Sequence, residues 1–414
     1  MGDASWLSRT GVLLAGVLLA LAALSACSSA NSGAIVIYSS IPLQGSGAAD
    51  NRSVVDAIKM ALADHNGRAG PFTVKYISLD DSTAARGEWD PGQEAKNART
   101  AVNDPNAVAV IGPLDSPAAK VSIPILNLAS MAEISPSATY PGLTKTTAAL
   151  PGEPYIYSPL GPDQRNFCRD FATDDVQGAA GALYAQQTLG AKSVFVLDDT
   201  QLYGHGIAGV FEQKAAALGI KVLGHLQTNP ATKNFADPNQ AQQIVSANPD
   251  LVYFGGLQEN GASTILTELR TRGFKGVFMG PDGIDEQDFV DKAGNNAGSV
   301  IATLPGLPPD QLTGDGASWY SRYKQSHGGK EPGPYAAYGY DAMRVLLDAI
   351  TKAATGSTPP SRGAVLAALR NEKNFAGITG TFSFDQNCDT TLTAISVLQV
   401  KNGAFAYVGP APQP

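Results

Sequence analysis

Residues 34–66, AIVIYSSIPLQGSGAADNRSVVDAIKMALADHN, decide the fold class of this chain. Residues 34–39 form an apolar run with β-branched side chains, which is typical of a buried strand, and a loop with proline and glycine follows. Residues 52–66 then have the spacing of an amphipathic helix. The apolar face of that helix comprises Val54, Ile58, Ala61 and Leu62. A buried strand that leads into a helix indicates an α/β fold.

The same alternation continues along the chain. In the first part we predict strands at 73–79 and 108–111 and helices at 94–103 and 116–127. After a Pro/Gly-rich stretch the pattern restarts, with strands at 193–197, 221–226, 251–254, 276–279 and 299–303. The last part is predicted to hold helices at 317–327, 335–355 and 362–371 and hairpin strands at 380–384 and 393–400. Strands that alternate with helices predict parallel sheets covered on both faces.

We therefore predict an α/β protein of two doubly wound parallel-sheet lobes joined by three hinge crossings, because 414 residues exceed what one core usually organises. The first lobe would comprise residues 34–165 plus 304–383 and the second 166–303 plus 384–414. The crossings are expected near 166–172, 303–309 and 382–387. Ligands of such sheets bind beyond the carboxyl ends of the strands, so the cleft between the lobes is the expected site.

Composition and motifs narrow the class of function. The net charge of −8 argues against a nucleic-acid surface, which needs clustered lysine and arginine, and leaves a small molecule or a protein as the expected partner. The chain contains neither the G-x-S-x-G nor the H-E-x-x-H motif of hydrolases, so we predict no enzyme activity. The acidic pairs along the chain are interpreted as solvated loop residues or helix caps, and Asp285 is predicted to cap a helix.

The run GHGIAG at 204–209 matches the dinucleotide-binding pattern G-x-G-x-x-G. Its glycines begin several residues beyond the preceding strand, and no acidic residue follows about 20 positions later to bind a ribose. We interpret the run as a glycine-rich helix start that lets another backbone or a ligand approach closely. No cofactor is predicted.

The N-terminal residues 1–26 have the features of a secretory signal, and Cys27 closes the small-residue run LSAC at 24–27. The apolar stretch is shorter than the ~20 residues of a membrane-spanning helix. We expect cleavage before a lipid-modified Cys27, with residues 27–33 as a polar tether. A plain signal peptide with an incidental cysteine, or an uncleaved anchor, remains open because Arg9 is the only cation in the leading segment. All of these place the remaining chain outside the cytoplasm.

The other two cysteines, Cys168 and Cys388, would then form a pair in an oxidising compartment. We expect a disulfide, the alternative being two isolated buried thiols. No metal site is predicted, since the four histidines lack the spacing of metal ligands.

Several predicted strand ends are rich in hydroxyl and acidic side chains. These are GPLDS at 112–116, ISPSAT at 134–139, residues 198–204 with Tyr203, and MGPDG at 279–283. In this order and spacing, and together with TDDVQG at 173–178 and PYAAY at 334–338, they resemble the periplasmic leucine/isoleucine/valine-binding proteins. These are type I substrate-binding proteins of ABC transporters. The resemblance spans the mature chain and implies the type I periplasmic binding protein fold.

The resemblance also implies roles for seven residues in binding an amino acid. Ser116 and Thr139 would bind the α-carboxylate, helped by the backbone around Ser137 and Ala138. From the other lobe, Asp282 would bind the α-ammonium group, Tyr203 would add a hydroxyl or an aromatic face, and Asp174 would lie near the ligand. Ordinary helix capping is the alternative for Ser116 and Thr139.

The chain departs from that family where the ligand's side chain is bound. The loop at 43–50 is rich in glycine, alanine and serine where an aromatic residue is common, Leu257 stands where tyrosine is common, and Asp282 replaces a longer glutamate. The expected function is a monomeric, lipid-anchored receptor that delivers a branched-chain or related amino acid to an ABC permease. A sensory module for an amide or small carboxylate, or a surface enzyme, are the alternatives.

Overall fold

The structure is a computed structural model that describes residues 34–229 and 231–414. The predicted signal peptide, the lipid-modified Cys27 and the tether lie outside the described residues. Within the described ranges, no helix combines the length and the apolar character needed to cross a membrane.

The first lobe is built on a six-stranded sheet whose strands come from the first part of the chain. They are β1 (Ala34–Ile41), β2 (Arg68–Ala69), β3 (Phe72–Asp80), β6 (Ala107–Ile111), β7 (Ala132–Ser135) and β8 (Phe167–Arg169), and a separate ribbon pairs β4 (Ser82–Thr83) with β5 (Glu88–Trp89). The strand order is β2-β3-β1-β6-β7-β8, and all neighbours are parallel except β2 and β3. This is the doubly wound arrangement that the alternation predicts.

Helices from both ends of the chain cover this sheet. They are α1 (Ala48–Asp64), α2 (Pro91–Asn103) and α3 (Ser116–Asn127), followed much later by α9 (Asp315–Ser326), α10 (Ala336–Ala353) and α11 (Arg362–Arg370). Helix α2 begins where it does because the Asp90 side chain accepts hydrogen bonds from the backbone N–H groups of Gly92 and Gln93. Helix α10 packs closely on α1, since a Cβ at Gly339 would lie 2.6 Å from Val54 Cγ1.

The second lobe is built on an eight-stranded sheet. Its strands are β9 (Ser193–Asp198), β10 (Lys221–Asn229), β11 (Asn234–Phe235), β12 (Leu251–Gly255), β13 (Val277–Gly280), β14 (Ile301–Pro305), β17 (Ile395–Lys401) and β18 (Ala404–Pro410). The order is β11-β10-β9-β12-β13-β14-β17-β18. The five strands β10, β9, β12, β13 and β14 are mutually parallel, whereas β11, β17 and β18 make antiparallel pairs. Its helices are α4 (Asp174–Gln187), α5 (Leu202–Ala217), α6 (Gln240–Ala247), α7 (Ala262–Thr271) and α8 (Gln287–Ala293).

The C-terminal strands pair differently from the predicted hairpin. The region predicted as strand 380–384 contains β16 (Thr381–Phe382), which pairs with β15 (Phe375–Ala376). The partner of β17 in a hairpin is β18, a strand that was not predicted from the sequence; three of its seven residues are exposed and four are half-buried.

The chain passes between the two sheets after β8, after β14 and again before β17. The first passage lies within the expected crossing at 166–172. Residues 167–169 nevertheless belong to the first lobe and not to the second, because β8 pairs in parallel with β7 and its Phe167 and Cys168 side chains are buried there. The predicted disulfide between Cys168 and Cys388 is confirmed, with an S–S distance of 2.01 Å. Both cysteines belong to the first-lobe core, so the bond ties β8 to the segment before β17 on one side of the crossings.

Candidate ligand-binding site

The candidate site is a cavity between the lobes, beyond the carboxyl ends of strands from both sheets. Its volume is about 40 Å³, so the lobes leave only a small space between these walls. Its lining consists of Asn51, Leu114, Asp115, Ser116, Ser137, Thr139, Tyr203, Leu257, Glu259, Asp282, Gly283, Glu286 and Tyr335. Five of the seven residues that the resemblance implies are in this lining.

The first-lobe wall carries the hydroxyl groups. Ser116 is the first residue of α3, as predicted, and its Oγ accepts a hydrogen bond from the backbone N–H of Tyr140 at 3.1 Å. Thr139 is 1% exposed, and within the described residues its Oγ1 has no hydrogen-bond partner. A buried hydroxyl without a partner is unfavourable unless something binds it, so Thr139 is the wall residue with the most hydrogen-bonding capacity left.

Ala138 lies outside the lining, because the loop that carries it is held from behind. The hydroxyl of Ser135 accepts hydrogen bonds from the backbone N–H groups of Ser137 at 3.2 Å and Ala138 at 2.8 Å. The Ala138 carbonyl accepts one from Arg169 Nη1 at 2.8 Å. The backbone N–H groups that the resemblance assigns to the ligand are therefore engaged in holding the loop that presents Thr139.

Asp282 is the centre of the second-lobe wall. Its Oδ1 accepts hydrogen bonds from Gln177 Nε2 and Tyr203 Oη, both at 2.8 Å, and its Oδ2 accepts one from Tyr335 Oη at 2.9 Å. Burial raises the pKa of Asp282, and these three donors act in the opposite direction. Sequence reasoning missed Gln177 and Tyr335 as site residues, although both lie in the stretches TDDVQG and PYAAY that carry the family resemblance.

Asp174 lies behind the wall and not in it. Its backbone N–H donates to the Thr139 carbonyl at 3.1 Å, and its fully buried carboxyl group has no hydrogen-bond partner among the described residues. Burial raises the pKa of Asp174 well above its usual range, the nearby Thr139 hydroxyl acts in the opposite direction, and the charge of Asp282 raises it further. Asp174 can therefore support Thr139 through the backbone, while its side chain is placed outside the lining of the cavity.

Three further carboxyl groups face the cavity, and sequence reasoning placed none of them in the ligand site. Burial raises the pKa of Asp115 and of Glu286 well above the usual range, and that of Glu259 to about 7. No lysine or arginine is among the lining residues. Asp115 lies within the quoted stretch GPLDS, whereas Glu259 and Glu286 had no signal in the sequence pattern. The cavity lining therefore contains four carboxyl groups, and Asp282 is one of them.

Asp285 does not cap a helix, so that prediction was wrong. Helix α8 begins at Gln287 with Glu286 in the capping position, and no side chain caps its backbone N–H groups. Asp285 instead lies in a buried loop, and burial raises its pKa to about 8.

The glycine run at 204–209 lies at the start of α5 and lets another backbone approach closely, as interpreted from the sequence. A Cβ at Gly204 would lie 2.6 Å from the Gly255 carbonyl oxygen at the end of β12. The same turn brings His205 next to His225, and both imidazole rings contact Asp198. The spacing of these two histidines in the sequence had not indicated that they lie together.

Comparison with known proteins agrees with this architecture. The sequence profile of the periplasmic binding protein family matches residues 37–404. The chain is 27% identical to the Leu/Ile/Val-binding protein homolog 2 of Brucella abortus, over 94% of this chain and 96% of the relative.

Two solved structures are similar along their full length. A leucine-binding protein from Thermotoga maritima has a TM-score of 0.78 at 26% identity, covering 91% of this chain and 98% of the other. The branched-chain amino acid binding protein LivJ of Streptococcus pneumoniae, solved with isoleucine, has a TM-score of 0.77 at 21% identity, covering 92% and 100%. The predicted type I fold is thereby confirmed, and because the family profile spans most of the sequence, this chain belongs to the periplasmic binding protein family.

Proposed function

We propose that the protein is an extracytoplasmic receptor that captures an amino acid in the cleft between its lobes and delivers it to an ABC permease. The observation that carries this proposal is the opposition of Asp282 on one wall to the hydroxyl groups of Ser116 and Thr139 on the other. A carboxylate facing hydroxyl groups across a small cavity is complementary to the ammonium and carboxylate groups of one zwitterion.

Each wall supplies what its half of the ligand needs. On the ammonium side, Asp282 is oriented by Gln177, Tyr203 and Tyr335, so the carboxylate is already in place when the ligand arrives. On the carboxylate side, Thr139 offers a hydroxyl with no partner in the described protein, and Ser116 stands at the start of α3, where the helix dipole favours an anion. Ser137 completes this wall.

The ligand would leave the cleft unchanged. We infer this from the class of the family, which is one of binding proteins. Closure of the lobes over the ligand then acts as a population shift, in which contacts made to both walls stabilise the closed form. The relatives' names, which specify leucine, isoleucine and valine, support an amino acid as the cargo.

Lipid attachment at Cys27 is part of the proposal. A polar tether at 27–33 would keep a monomeric receptor close to its permease and still let it turn. Labelling cells with a fatty acid that carries a chemical handle should mark the protein, and Cys27→Ser should abolish the label. A labelled Cys27→Ser variant would contradict lipid attachment at this residue.

A second candidate ligand is an amino acid or amine with an additional positive group. Asp115, Glu259 and Glu286 face the cavity beside Asp282, and none of the lining residues is basic. An apolar side chain such as that of leucine would have to desolvate these carboxyl groups without pairing them, which is unfavourable. A basic side chain on the ligand would instead pair with these carboxyl groups and favour their charged form.

A calorimetric titration with a small panel tests both candidates. Leucine, lysine, putrescine, acetamide and benzoate separate zwitterions, dications, amides and plain carboxylates. Binding of leucine in preference to lysine would support the first candidate, and the reverse would support the second. Binding of benzoate or acetamide alone would contradict an ammonium site at Asp282.

A deletion strain that takes up the bound compound normally but no longer responds to it would favour a sensory module over transport.

A further inference from the structure

Three potential metal ligands from three elements of the second lobe meet outside the amino acid cavity. Asp198 ends β9, His205 lies in the first turns of α5, and His225 lies on β10. Asp198 Oδ2 is 2.8 Å from His205 Nδ1 and 2.9 Å from His225 Nε2. The three ligand atoms lie within 4.8 Å of one another. Tetrahedral zinc needs neighbouring ligand atoms about 3.3 Å apart, so each contact would have to open by about half an ångström.

A second carboxylate orients one of these imidazole rings. Glu212 Oε2 lies 2.6 Å from His225 Nδ1, on the side of the ring that faces away from Asp198. Histidines that bind metals generally donate their other ring N–H to a carboxylate or carbonyl, which fixes the ring and makes it a better ligand. Asp198 is oriented as well, because its Oδ1 accepts a hydrogen bond from the backbone N–H of Thr200 at 2.7 Å.

The cluster is closed on the protein side and open toward solvent. The Asp198 side chain is fully buried, the His225 side chain is 23% exposed and the His205 side chain is 57% exposed. An ion could therefore reach the cluster past His205 and keep one position for water. The other two histidines, His65 and His327, each bond a helix carbonyl through Nδ1 at 2.8 Å and lie apart from this cluster.

We propose that Asp198, His205 and His225 form a binding site for a divalent transition-metal ion such as Zn²⁺, with Glu212 as a positioning residue. Two imidazoles and one carboxylate are typical zinc ligands, whereas Ca²⁺ and Mg²⁺ take mostly oxygen ligands. The ion would link the start of α5 to β9 and β10. Because α5 also carries Tyr203, two residues before His205, the site would stiffen the wall next to Asp282 without contacting the cavity.

Calorimetric titration of the chain with zinc chloride tests this site, after treatment with a chelator and without a histidine tag. We expect one ion per chain. His205→Ala should weaken zinc binding more than about tenfold, and Glu212→Gln should weaken it by about 10- to 100-fold through its effect on His225. His327→Ala removes a histidine outside the cluster whose side chain is 27% exposed, and this variant should bind zinc like the unmodified chain.

Co²⁺ gives an independent readout, since a tetrahedral site with nitrogen and oxygen ligands produces intense visible absorption. The bands should be present in the unmodified chain and in His327→Ala and be lost in His205→Ala, with circular dichroism confirming that each variant is folded. Zinc binding that is unchanged in both His205→Ala and Glu212→Gln would overturn the proposal. So would the absence of saturable binding, which would leave the cluster as a hydrogen-bonded network around Asp198.

Discussion

At the scale of single residues, Asp282 is the group on which ligand affinity should depend most. Replacing it with asparagine keeps the shape but removes the charge that pairs with an ammonium group, so we predict a loss of about 2 kcal/mol or more in binding free energy. Calorimetry with the best ligand of the panel measures this change. Asp285→Asn changes a half-buried carboxyl group that follows in the same loop but lies outside this cavity's lining, and it is the matched control. Equal affinity in the Asp282→Asn variant would show that no ammonium group is held there.

Thr139 and Ser116 should respond differently, because only one of them is already bonded within the protein. Thr139→Val removes a hydroxyl that has no hydrogen-bond partner among the described residues, so it should weaken ligand binding by about 1 kcal/mol and reduce the ligand-free stability less than Ser116→Ala does. Ser116→Ala should reduce both, since the Tyr140 N–H then loses its acceptor. Urea unfolding and calorimetry on both variants separate the two effects. Matching stability losses in the two variants would contradict this assignment.

Residues that directly follow strands could be predicted, and residues placed by later packing could not. Ser116 and Asp282 come just beyond β6 and β13, whose carboxyl ends point to the cleft, so their chain positions predict their places. Tyr335 reaches Asp282 only because α10 packs on the first lobe. Glu259 reaches the cavity from a short helical turn at Gln258–Asn260 that has no periodic signal.

At the scale of secondary-structure elements, the disulfide joins two segments that are far apart in the chain. Cys168 and Cys388 are separated by 220 positions, so their bond restricts the unfolded chain strongly. We predict that Cys168→Ala/Cys388→Ala lowers the free energy of unfolding by about 2–5 kcal/mol. Urea unfolding measures this loss. The control is Cys27→Ser alone, which removes a cysteine but keeps Cys168 and Cys388. A double variant as stable as the unmodified chain would contradict a stabilising role for the bond.

The parallel strands were predictable because each is a short apolar run followed by a helix, as in β9 and α5. The edge strand β18 was not predicted, although residues 404–408 form the apolar run AFAYV, because no helix follows it to continue the alternation. Likewise β8 has only three residues, too few for any period, and the pairing of Cys168 with the first-lobe core decides its sheet. Tertiary pairing therefore settled what local pattern left open.

At the scale of the whole molecule, buried carboxyl groups should make stability depend on pH. Burial raises the pKa of Glu94 and of Glu259 to about 7 and that of Asp285 to about 8. The folded state then holds protons that the unfolded state has released, so the free energy of unfolding should fall from about pH 5 to about pH 8. Each group contributes at most about 1.4 kcal/mol per pH unit. Urea unfolding across this range measures the slope, which Glu259→Gln should reduce. A stability that rises with pH would contradict these directions.

The two lobes are also joined by contacts that should bias the molecule toward closure. Tyr335 Oη donates to Asp282 Oδ2 at 2.9 Å from the first-lobe side, and Lys233 Nζ lies 3.4 Å from Glu88 Oε1 across the same cleft. Tyr335→Phe removes one of these links, so the closed form should be less populated and ligand affinity should fall by about fivefold, or about 1 kcal/mol. Small-angle X-ray scattering should give the ligand-free variant a larger radius of gyration than the unmodified chain, and saturating ligand should make the two equal. Tyr320→Phe, whose hydroxyl lies outside the cavity lining, should change neither quantity. If Tyr335→Phe leaves both the affinity and the radius unchanged, closure is governed by the ligand's own contacts with the two walls.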